Sequence, residues 1–305
     1  MELRHIAANI FLVPGASAGR YPFSHSILAD GSPGTLIDTG CGLGILSEVM
    51  EVCDVEQVII SHSHPHHTAG CHLLENRPIY IPETAADSFG NKDRLAERFV
   101  EPGSLEKTFK AYITGAMGYE DTPHTNTYHE GFVFDLVGMR FVGIHTPGHT
   151  WDHMCLFEAT HGILFSFDMD LSWFGPWYGH RESDILQYRS SMQKLMDLEP
   201  RLVVTSHEGI IKDNIQERFT RYMETIDARH GAILELISVQ PRTLDILTNS
   251  SPIYRGWKHV PPLQRYWESM MIQKHLDLLI SEGRARRRAE GIYEATKPKT
   301  SSFPM

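Results

Sequence analysis

The chain has 305 residues, of which 41% are hydrophobic, so it is long enough to bury the cores of one large domain and one smaller domain. It has 38 Asp and Glu residues against 28 Lys and Arg residues, and the net charge of −10 disfavours nucleic acids and acidic membranes as partners. The four cysteines form no CxxC pair, which is typical of a reducing compartment. We therefore expect a cytoplasmic protein without a membrane span, because no apolar run approaches the about 20 residues that a bilayer requires.

Five short apolar runs each lead into a polar residue. In chain order they are 34–37 before Asp38, 58–61 before His62, 139–144 before the segment with His149, 162–167 before Asp168, and 202–206 before His207. Short apolar runs that end in a turn are typical of buried strands. Layered α/β proteins assemble their sites where such strands end. The pattern therefore predicts that these five polar residues converge.

The segment His62-Ser63-His64-Pro65-His66-His67 concentrates four imidazoles directly after the second run. Neutral imidazole is the commonest protein ligand for zinc and related metals. A purely structural role would leave several buried ring nitrogens in need of partners. The segment therefore predicts a metal site, whereas histidines outside the motifs, such as His180, are expected to be solvated or satisfied in the core.

Residues 84–128 form a long insertion between a predicted strand at 79–81 and another that starts near 132, with helical patches at 93–100 and 105–117. An insertion of this length is typical of a lid or binding element, with a surface decoration as the alternative. A second stretch, directly after Asp168, contains four aromatic residues that either form an apolar pocket wall or pack in the core. They are Trp173, Phe174, Trp177 and Tyr178.

The pattern changes after the last run, and we expect a first domain at 1–213 and a helical second domain at 214–305. Helical periodicity covers 214–238, followed by a short helix near 244–247 and a longer one from about 262 to 282. A basic hairpin then carries Arg284, Arg286, Arg287 and Arg288. From Ser251 onward there are 10 Lys and Arg against 5 Asp and Glu, so this tail carries +5 and the remainder −15.

The set of motifs resembles the metallo-β-lactamase superfamily in both content and order. The motifs are Ile37-Asp38-Thr39-Gly40, HxHxxH from His62 to His67, Gly148-His149-Thr150, a strand ending in Asp168, and Ser206-His207. The resemblance covers about residues 10 to 215 and implies a four-layer αββα fold of the α/β class with a site for two divalent metal ions. It implies that one ion is held by His62, His64 and His149, a second by His67 and His207, that Asp168 bridges them, and that Asp38 orients a ligand. Zinc is the favoured metal, with iron and manganese as alternatives.

His66 departs from the family pattern, which usually has an aspartate at this position that binds the second metal. A neutral imidazole in its place leaves the site more positive. Three outcomes are open: His66 ligates the second metal, it carries protons with a pKa near neutrality, or the second site is poorly filled. Asp152 and Glu208 lie beside ligands in the sequence and are candidates for carboxylates that support them.

The resemblance implies a hydrolase in which a hydroxide held between two metal ions attacks an electrophilic carbonyl. We expect a small-molecule thioester or lactone, because the acidic body and the aromatic stretch suit an apolar substrate better than a polyanion. The alternatives are a phosphodiesterase or ribonuclease, and a di-iron redox or oxygen-binding protein of the same fold. The C-terminal pattern resembles the winged-helix tail of the β-lactamase-like protein 2 type of hydrolases. Its arginines either contact phosphate or belong to a packing appendage, and a homodimer is left open.

Overall fold

The structure is a computed structural model that describes residues 2–258 and 260–296. Its strands are β1 (Arg4–Ala7), β2 (Ile10–Val13), β3 (Ser26–Ala29), β4 (Thr35–Ile37), β5 (Gln57–Ile59), β6 (Ile79–Pro82), β7 (Asn126–Tyr128), β8 (Val133–Leu136), β9 (Met139–His145), β10 (Met154–Glu158), β11 (Ile163–Phe167), β12 (Leu202–Thr205), β13 (Gly209–Ile211), β14 (Arg242–Thr243), β15 (Ala285–Arg287) and β16 (Ile292–Ala295). Its helices are α1 (Leu43–Val52), α2 (Pro65–Thr68), α3 (Lys92–Phe99), α4 (Ser104–Met117), α5 (Ile185–Met196), α6 (Ile215–Val239), α7 (Leu244–Ser250) and α8 (Pro261–Ser281).

The first sheet contains β1 to β7 in chain order, with β4 to β7 parallel to one another. Side chains alternate between its faces, as the period of a strand requires. Ile37 and Ile59 point into the core shared with the second sheet, whereas Leu36 and Val58 pack with Leu46 of α1 on the outer face. The sheet is therefore buried on both faces, which explains the near-continuous apolar runs in its parallel strands.

The second sheet has the order β13-β12-β11-β10-β9-β8. Strands β11 and β12 are parallel, and β10 runs antiparallel to both β9 and β11, so β9, β11 and β12 end at the same edge. Phe141 and Phe165 stack at 4.5 Å in the core between the two sheets. With helices α1 and α5 adding buried faces, this is the predicted mixed α/β fold, and each of the five apolar runs overlaps a strand.

The predicted insertion at 84–128 contains α3 and α4, close to the helical patches expected from the sequence. Its last residues, 126–128, form β7, which pairs with β6 at the edge of the first sheet. Residues 126–128 are therefore part of the first sheet and not of a possible lid. The insertion proper is therefore the helical segment before β7.

The chain divides into two compact units, of which the second comprises residues 177–179 and the chain from 224 onward. The division falls inside α6, whereas the boundary expected from sequence was at 213. Within the second unit, α7 packs against α8, and the strands form a small sheet in the order β14-β16-β15. Two helices followed by a hairpin are compatible with the winged-helix resemblance, which stays a prediction. Among the described residues, no helix combines the length and apolar character needed to cross a membrane.

Candidate metal centre

Donor atoms from separate strand ends meet at one point. Nδ1 of His64 lies 2.9 Å from Nε2 of His62 and 3.0 Å from Nε2 of His149. Oδ2 of Asp168 lies 3.1 Å from Nε2 of His149 and 3.6 Å from Nε2 of His62. All four side chains are buried. A neutral imidazole has only one N–H, so three ring nitrogens and a carboxylate facing one point suit a cation better than a closed hydrogen-bond network.

A second group shares Asp168 with the first. Oδ1 of Asp168 lies 2.8 Å from Nε2 of His67 and 3.5 Å from Nε2 of His207, while its Oδ2 lies 3.2 Å from Nε2 of His66. One ligand atom from each of these four residues lies within 4.8 Å of the others. The arrangement offers two adjacent donor sets joined by one carboxylate, and it brings His66 to the second set.

Asp38, directly after β4, contacts the second donor group through His67. Its backbone has φ of 57°, a left-handed conformation that Asp tolerates better than most residues. Its Oδ2 accepts hydrogen bonds from the Ser61 hydroxyl and from Nδ1 of His67, each at 2.7 Å, and its Oδ1 accepts one from the Ser61 N–H. A carboxylate on Nδ1 fixes the imidazole so that Nε2 faces the Asp168 carboxylate, and the orienting role of Asp38 toward a metal ligand stays a prediction.

The backbone of the histidine segment is held by residues that are not candidate ligands. The Thr39 N–H donates to the carbonyl of His67 at 2.7 Å, and the Ser24 hydroxyl donates to the carbonyl of His66 at 2.9 Å. Gly40 packs so closely that a Cβ there would lie 1.6 Å from the His66 carbonyl oxygen. Any side chain at position 40 would displace this segment.

Burial lowers the pKa values of His62, His64 and His66, although Asp168 opposes the shift. The pKa values of His62 and His64 lie well below the ordinary value, because burial disfavours the imidazolium and neighbouring histidines oppose it further. Burial and the charge of His67 lower the pKa of His66 to about 3. Neutral imidazoles are the form that binds metals.

His67 behaves in the opposite way. Burial alone would lower its pKa, but Asp168 and Asp38 on either side raise it to about 10. The pKa of Asp168 is held well below its usual range, because the neighbouring histidines, above all the charged His67, outweigh the effect of burial. In the metal-free protein a proton on His67 therefore separates two carboxylates, and a metal ion bound to its Nε2 must displace that proton.

A buried ion network connects the insertion to the histidine segment. The Arg98 guanidinium, near the end of α3, donates to Asp152 Oδ1 at 2.7 Å and to both oxygens of Glu182 at 2.6 Å. Oδ2 of Asp152 accepts hydrogen bonds from the N–H and the hydroxyl of Ser63, between two candidate ligands. Burial raises the pKa of Asp152, but Arg98 and Ser63 bring it well below its usual range. Asp152 thus contacts the backbone between two candidate ligands through Ser63, and Arg98 connects it to α3 of the insertion.

Residues 22–207 match the family model of the metallo-β-lactamase superfamily, which is more than half of the chain. This chain belongs to the metallo-β-lactamase superfamily. The match confirms the family and the hydrolase fold expected from the motifs. It includes every residue of the two donor groups described above.

Curated relatives and solved structures are similar to this chain over most of its length. The β-lactamase-like protein 2 homolog of Drosophila melanogaster is 24% identical over 269 residues, covering 85% of this chain and 82% of that protein. The atrochrysone carboxyl ACP thioesterase of Aspergillus fumigatus is 24% identical over 245 residues, covering 76% of this chain and 66% of that protein, so the chain spans about two thirds of this fungal relative. A metallo-β-lactamase family protein from Thermus thermophilus has the same fold, with a TM-score of 0.73 at 21% identity over 94% of this chain and 99% of that one.

The aromatic stretch after Asp168 is divided in the structure. Trp173 is 90% exposed and Phe174, in ring contact with it, is partly buried. Trp177 and Tyr178 belong to the second compact unit, where Trp177 Nε1 donates to the Tyr254 hydroxyl at 2.6 Å and the Tyr178 hydroxyl lies 2.8 Å from a histidine nitrogen of α8. These partners of Trp177 and Tyr178 fit the packing interpretation of the stretch. A pocket wall formed by Trp173 and Phe174 stays a prediction.

Two tyrosines and a histidine near the donor groups were not predicted from the sequence. The ring of Tyr21 lies edge-on to His66 at 5.3 Å, and that of Tyr112, from α4 of the insertion, lies 6.2 Å from Tyr21. His180, assigned no special role from sequence, lies against His64. Neither Tyr21 nor His180 belongs to a motif, so no local signal pointed to them. Asp170, two residues after Asp168, accepts hydrogen bonds from the Tyr222 hydroxyl and the Ser172 N–H.

The arginines of the C-terminal hairpin are largely engaged within the hairpin itself. Arg286 and Arg288 both pair with Glu294, and Arg284 lies 3.2 Å from Glu282. Arg287 lies over the ring of Tyr293 at 5.6 Å. Carboxylates that already occupy these guanidinium groups compete with any phosphate ligand. The hairpin is therefore a weaker anion-binding surface than its sequence indicates.

Proposed function

We propose that this chain is a metal-dependent hydrolase of thioesters or lactones with an apolar or aromatic acyl group. The observation that carries the proposal is the pair of adjacent donor groups joined by Asp168, with the Tyr21 ring beside His66. The name of the fungal thioesterase relative supports an acyl substrate. The acidic body supports it too, because a net charge of −10 repels polyanions.

The donor set fits two divalent metal ions. The first group would be formed by His62, His64 and His149, and the second by His66, His67 and His207, with Asp168 common to both. Imidazole and carboxylate donors suit zinc, iron and manganese, and zinc is the metal that we favour. Metal ions bound there would supply Lewis-acid polarisation of the scissile carbonyl and activation of water.

Residues of the chain itself would organise the substrate and its protons. Asp38 keeps the His67 ring turned toward Asp168, and Asp152 keeps the backbone between His62 and His64 in place. The Tyr21 and Tyr112 rings would contact the acyl group beside His66, because aromatic faces bury apolar surface and stack on planar groups. Tyr21 is 38% exposed, so its ring is accessible from solvent.

His66 would act as a neutral ligand of the second group. Its Nε2 lies 3.2 Å from Asp168, and its pKa of about 3 keeps it uncharged at neutral pH. An imidazole in place of an aspartate leaves the second group with one negative charge fewer. We therefore expect a more acidic pH optimum than that of a variant with the aspartate restored.

The ribonuclease and phosphodiesterase alternative has less support. This alternative was suggested by the basic hairpin, but Glu294 and Glu282 already pair with arginines there. The remaining alternative, a di-iron redox or oxygen-binding protein, shares the same donor residues and differs only in the metal. Elemental analysis of protein purified without added metal, followed by the substrate panel, separates the two, because a redox protein would hold iron and hydrolyse no member of the panel.

The test combines metal analysis with a substrate panel. We expect about two metal ions per chain, as the two donor groups require, together with hydrolysis of an aryl or acyl thioester or of a lactone. The panel also includes bis-phosphodiester and single-stranded RNA. His64→Ala should lose metal and reduce turnover by several orders of magnitude, whereas the exposed His129→Ala should match the unmodified protein. Full metal content in His64→Ala, or turnover of phosphodiesters alone, would contradict the proposal.

A further inference from the structure

His180 contacts the side of His64 that faces away from the donor group. Its Nε2 lies 2.7 Å from Nε2 of His64, and its Nδ1 lies 3.2 Å from the carbonyl oxygen of Phe99. The His180 ring stacks on the Phe99 ring at 4.0 Å with an interplanar angle of 14°. His180 is only 3% exposed. The contact therefore lies in the interior and connects a candidate ligand to the last residue of α3.

Counting protons assigns a direction to this chain of contacts. A metal ion at Nδ1 of His64 requires that nitrogen to be unprotonated, so the proton of the neutral ring is on Nε2. Nε2 of His64 then donates to Nε2 of His180, which must accept. His180 in turn carries its proton on Nδ1 and donates it to the carbonyl of Phe99. Each link has one proton, and every donor has an acceptor.

We propose that His180 is a positioning residue that fixes the tautomer and ring orientation of His64. It turns Nδ1 of His64 toward the first donor group and ties that group to the carboxyl end of α3. The Phe99 carbonyl belongs to the last turn of a helix, where carbonyl groups lack partners within the helix, so it is a ready acceptor. The Phe99 ring also contacts His64, edge-on at 5.2 Å, and limits its rotation.

The insertion therefore supports the donor group by two adjacent residues. Arg98 holds the backbone around Ser63 through Asp152, and Phe99 holds the ring of His64 through His180. An acceptor that is a neutral imidazole orients a ligand without adding negative charge, unlike a carboxylate. The end of α3 is thereby connected to the donor group at two points.

The test uses variants at His180 in the full chain and measures metal binding. His180→Phe keeps a ring that can stack on Phe99 but removes the acceptor, whereas His180→Gln supplies an amide oxygen that can accept from His64. Cobalt affinity, from competition with a chelator, should fall about 10- to 100-fold in His180→Phe, the usual effect of losing a ligand's partner. His180→Gln should recover part of this loss. The visible absorption of the bound cobalt should change in the first variant and return toward that of the unmodified protein in the second.

A second measurement uses the unmodified protein and is unaffected if His180→Phe fails to fold. In the zinc-loaded protein, nitrogen-15 NMR of the imidazole rings should show His180 as the neutral tautomer with its proton on Nδ1. The opposite tautomer would overturn the proposal, and so would cobalt affinity within about twofold of the unmodified protein in a folded His180→Phe variant, well below the expected loss. The inference rests on the proposed metal site. If the unmodified protein binds no metal, the proposed function fails first, and the two failures are thereby distinguished.

Discussion

Replacing Arg98 by methionine tests how strongly the ion network holds the insertion. Methionine keeps an unbranched side chain of similar helix propensity but removes the guanidinium and its charge. The side chain of Arg98 is 4% exposed, and those of Asp152 and Glu182 are 0% and 6% exposed. Removing one partner from a buried ion pair costs about 3–5 kcal/mol, because the remaining charge has no counterion. At about 2–4 °C per kcal/mol for a domain of this size, Tm should fall by roughly 6–20 °C.

The matched control lies on the same helix. Arg94 pairs with Glu97 at 2.9 Å, but their side chains are 63% and 56% exposed. Solvent screens such a pair, so Arg94→Met should change the free energy of unfolding by about 0.5 kcal/mol or less. Both variants are compared by urea and thermal unfolding of the metal-free protein. If Arg98→Met cost no more than Arg94→Met, the network would not hold the insertion.

The pH dependence of the loss gives an independent check. Arg98 depresses the pKa of Asp152, so in the unmodified protein its contribution to stability is present above the unfolded pKa and is lost as the pH falls through the lower folded pKa. Without Arg98, burial raises the pKa of Asp152, and protonation then removes the buried charge. The stability difference between the two proteins should therefore narrow as the pH falls from about 7 to 5. A difference that stayed constant over this range would argue against an uncompensated carboxylate.

Three further predictions concern the donor groups and the hairpin. The pKa of His67 is raised to about 10 in the metal-free protein, so metal binding between pH 7 and 9 should release at least one proton. Calorimetry in buffers of different ionisation enthalpy measures this release. Metal binding without proton release would contradict the prediction. His66→Asp should keep about two metal ions per chain and shift the pH dependence of turnover to higher pH. If the pH dependence did not shift, and His66→Ala kept its full metal content and activity, His66 would have no role at the site. Changing Arg286, Arg287 and Arg288 together to Gln should leave the rate of thioester hydrolysis within about twofold of that of the unmodified protein. If the unmodified protein bound RNA in a salt-dependent way and the variant lost that binding, the nuclease alternative would be favoured.

The sequence predicted the strands and the convergence of the candidate ligands because both leave local patterns. An apolar run such as 162–167 reports a strand buried on both faces, and the polar residue after it reports the edge where strands end. The long C-terminal helix was similarly apparent from its periodicity, which placed it at 214–238 against the observed Ile215–Val239. These signals depend on neighbours within a few residues.

Contacts between distant segments left no such signal. His180 lies 116 residues from His64 in the chain, and Tyr21, in the turn before β3, contacts His66 of α2. The strand at 126–128 is only three residues long and was assigned to the insertion, because its pairing with β6 determines its structure. The pairing of Glu294 with both Arg286 and Arg288 also left no signal in the sequence.

Hydrogen bonds from residues near Gly40 hold the backbone of the histidine segment independently of its side chains. Carbonyls of His66 and His67 are held by Ser24 and Thr39, so the course of the chain does not depend on which side chains stand at those positions. The segment can therefore exchange one ligand type for another while the remaining donors stay in register. A scaffold of this kind is suited to changing its metal preference by single substitutions, and position 66 is where a designer would begin.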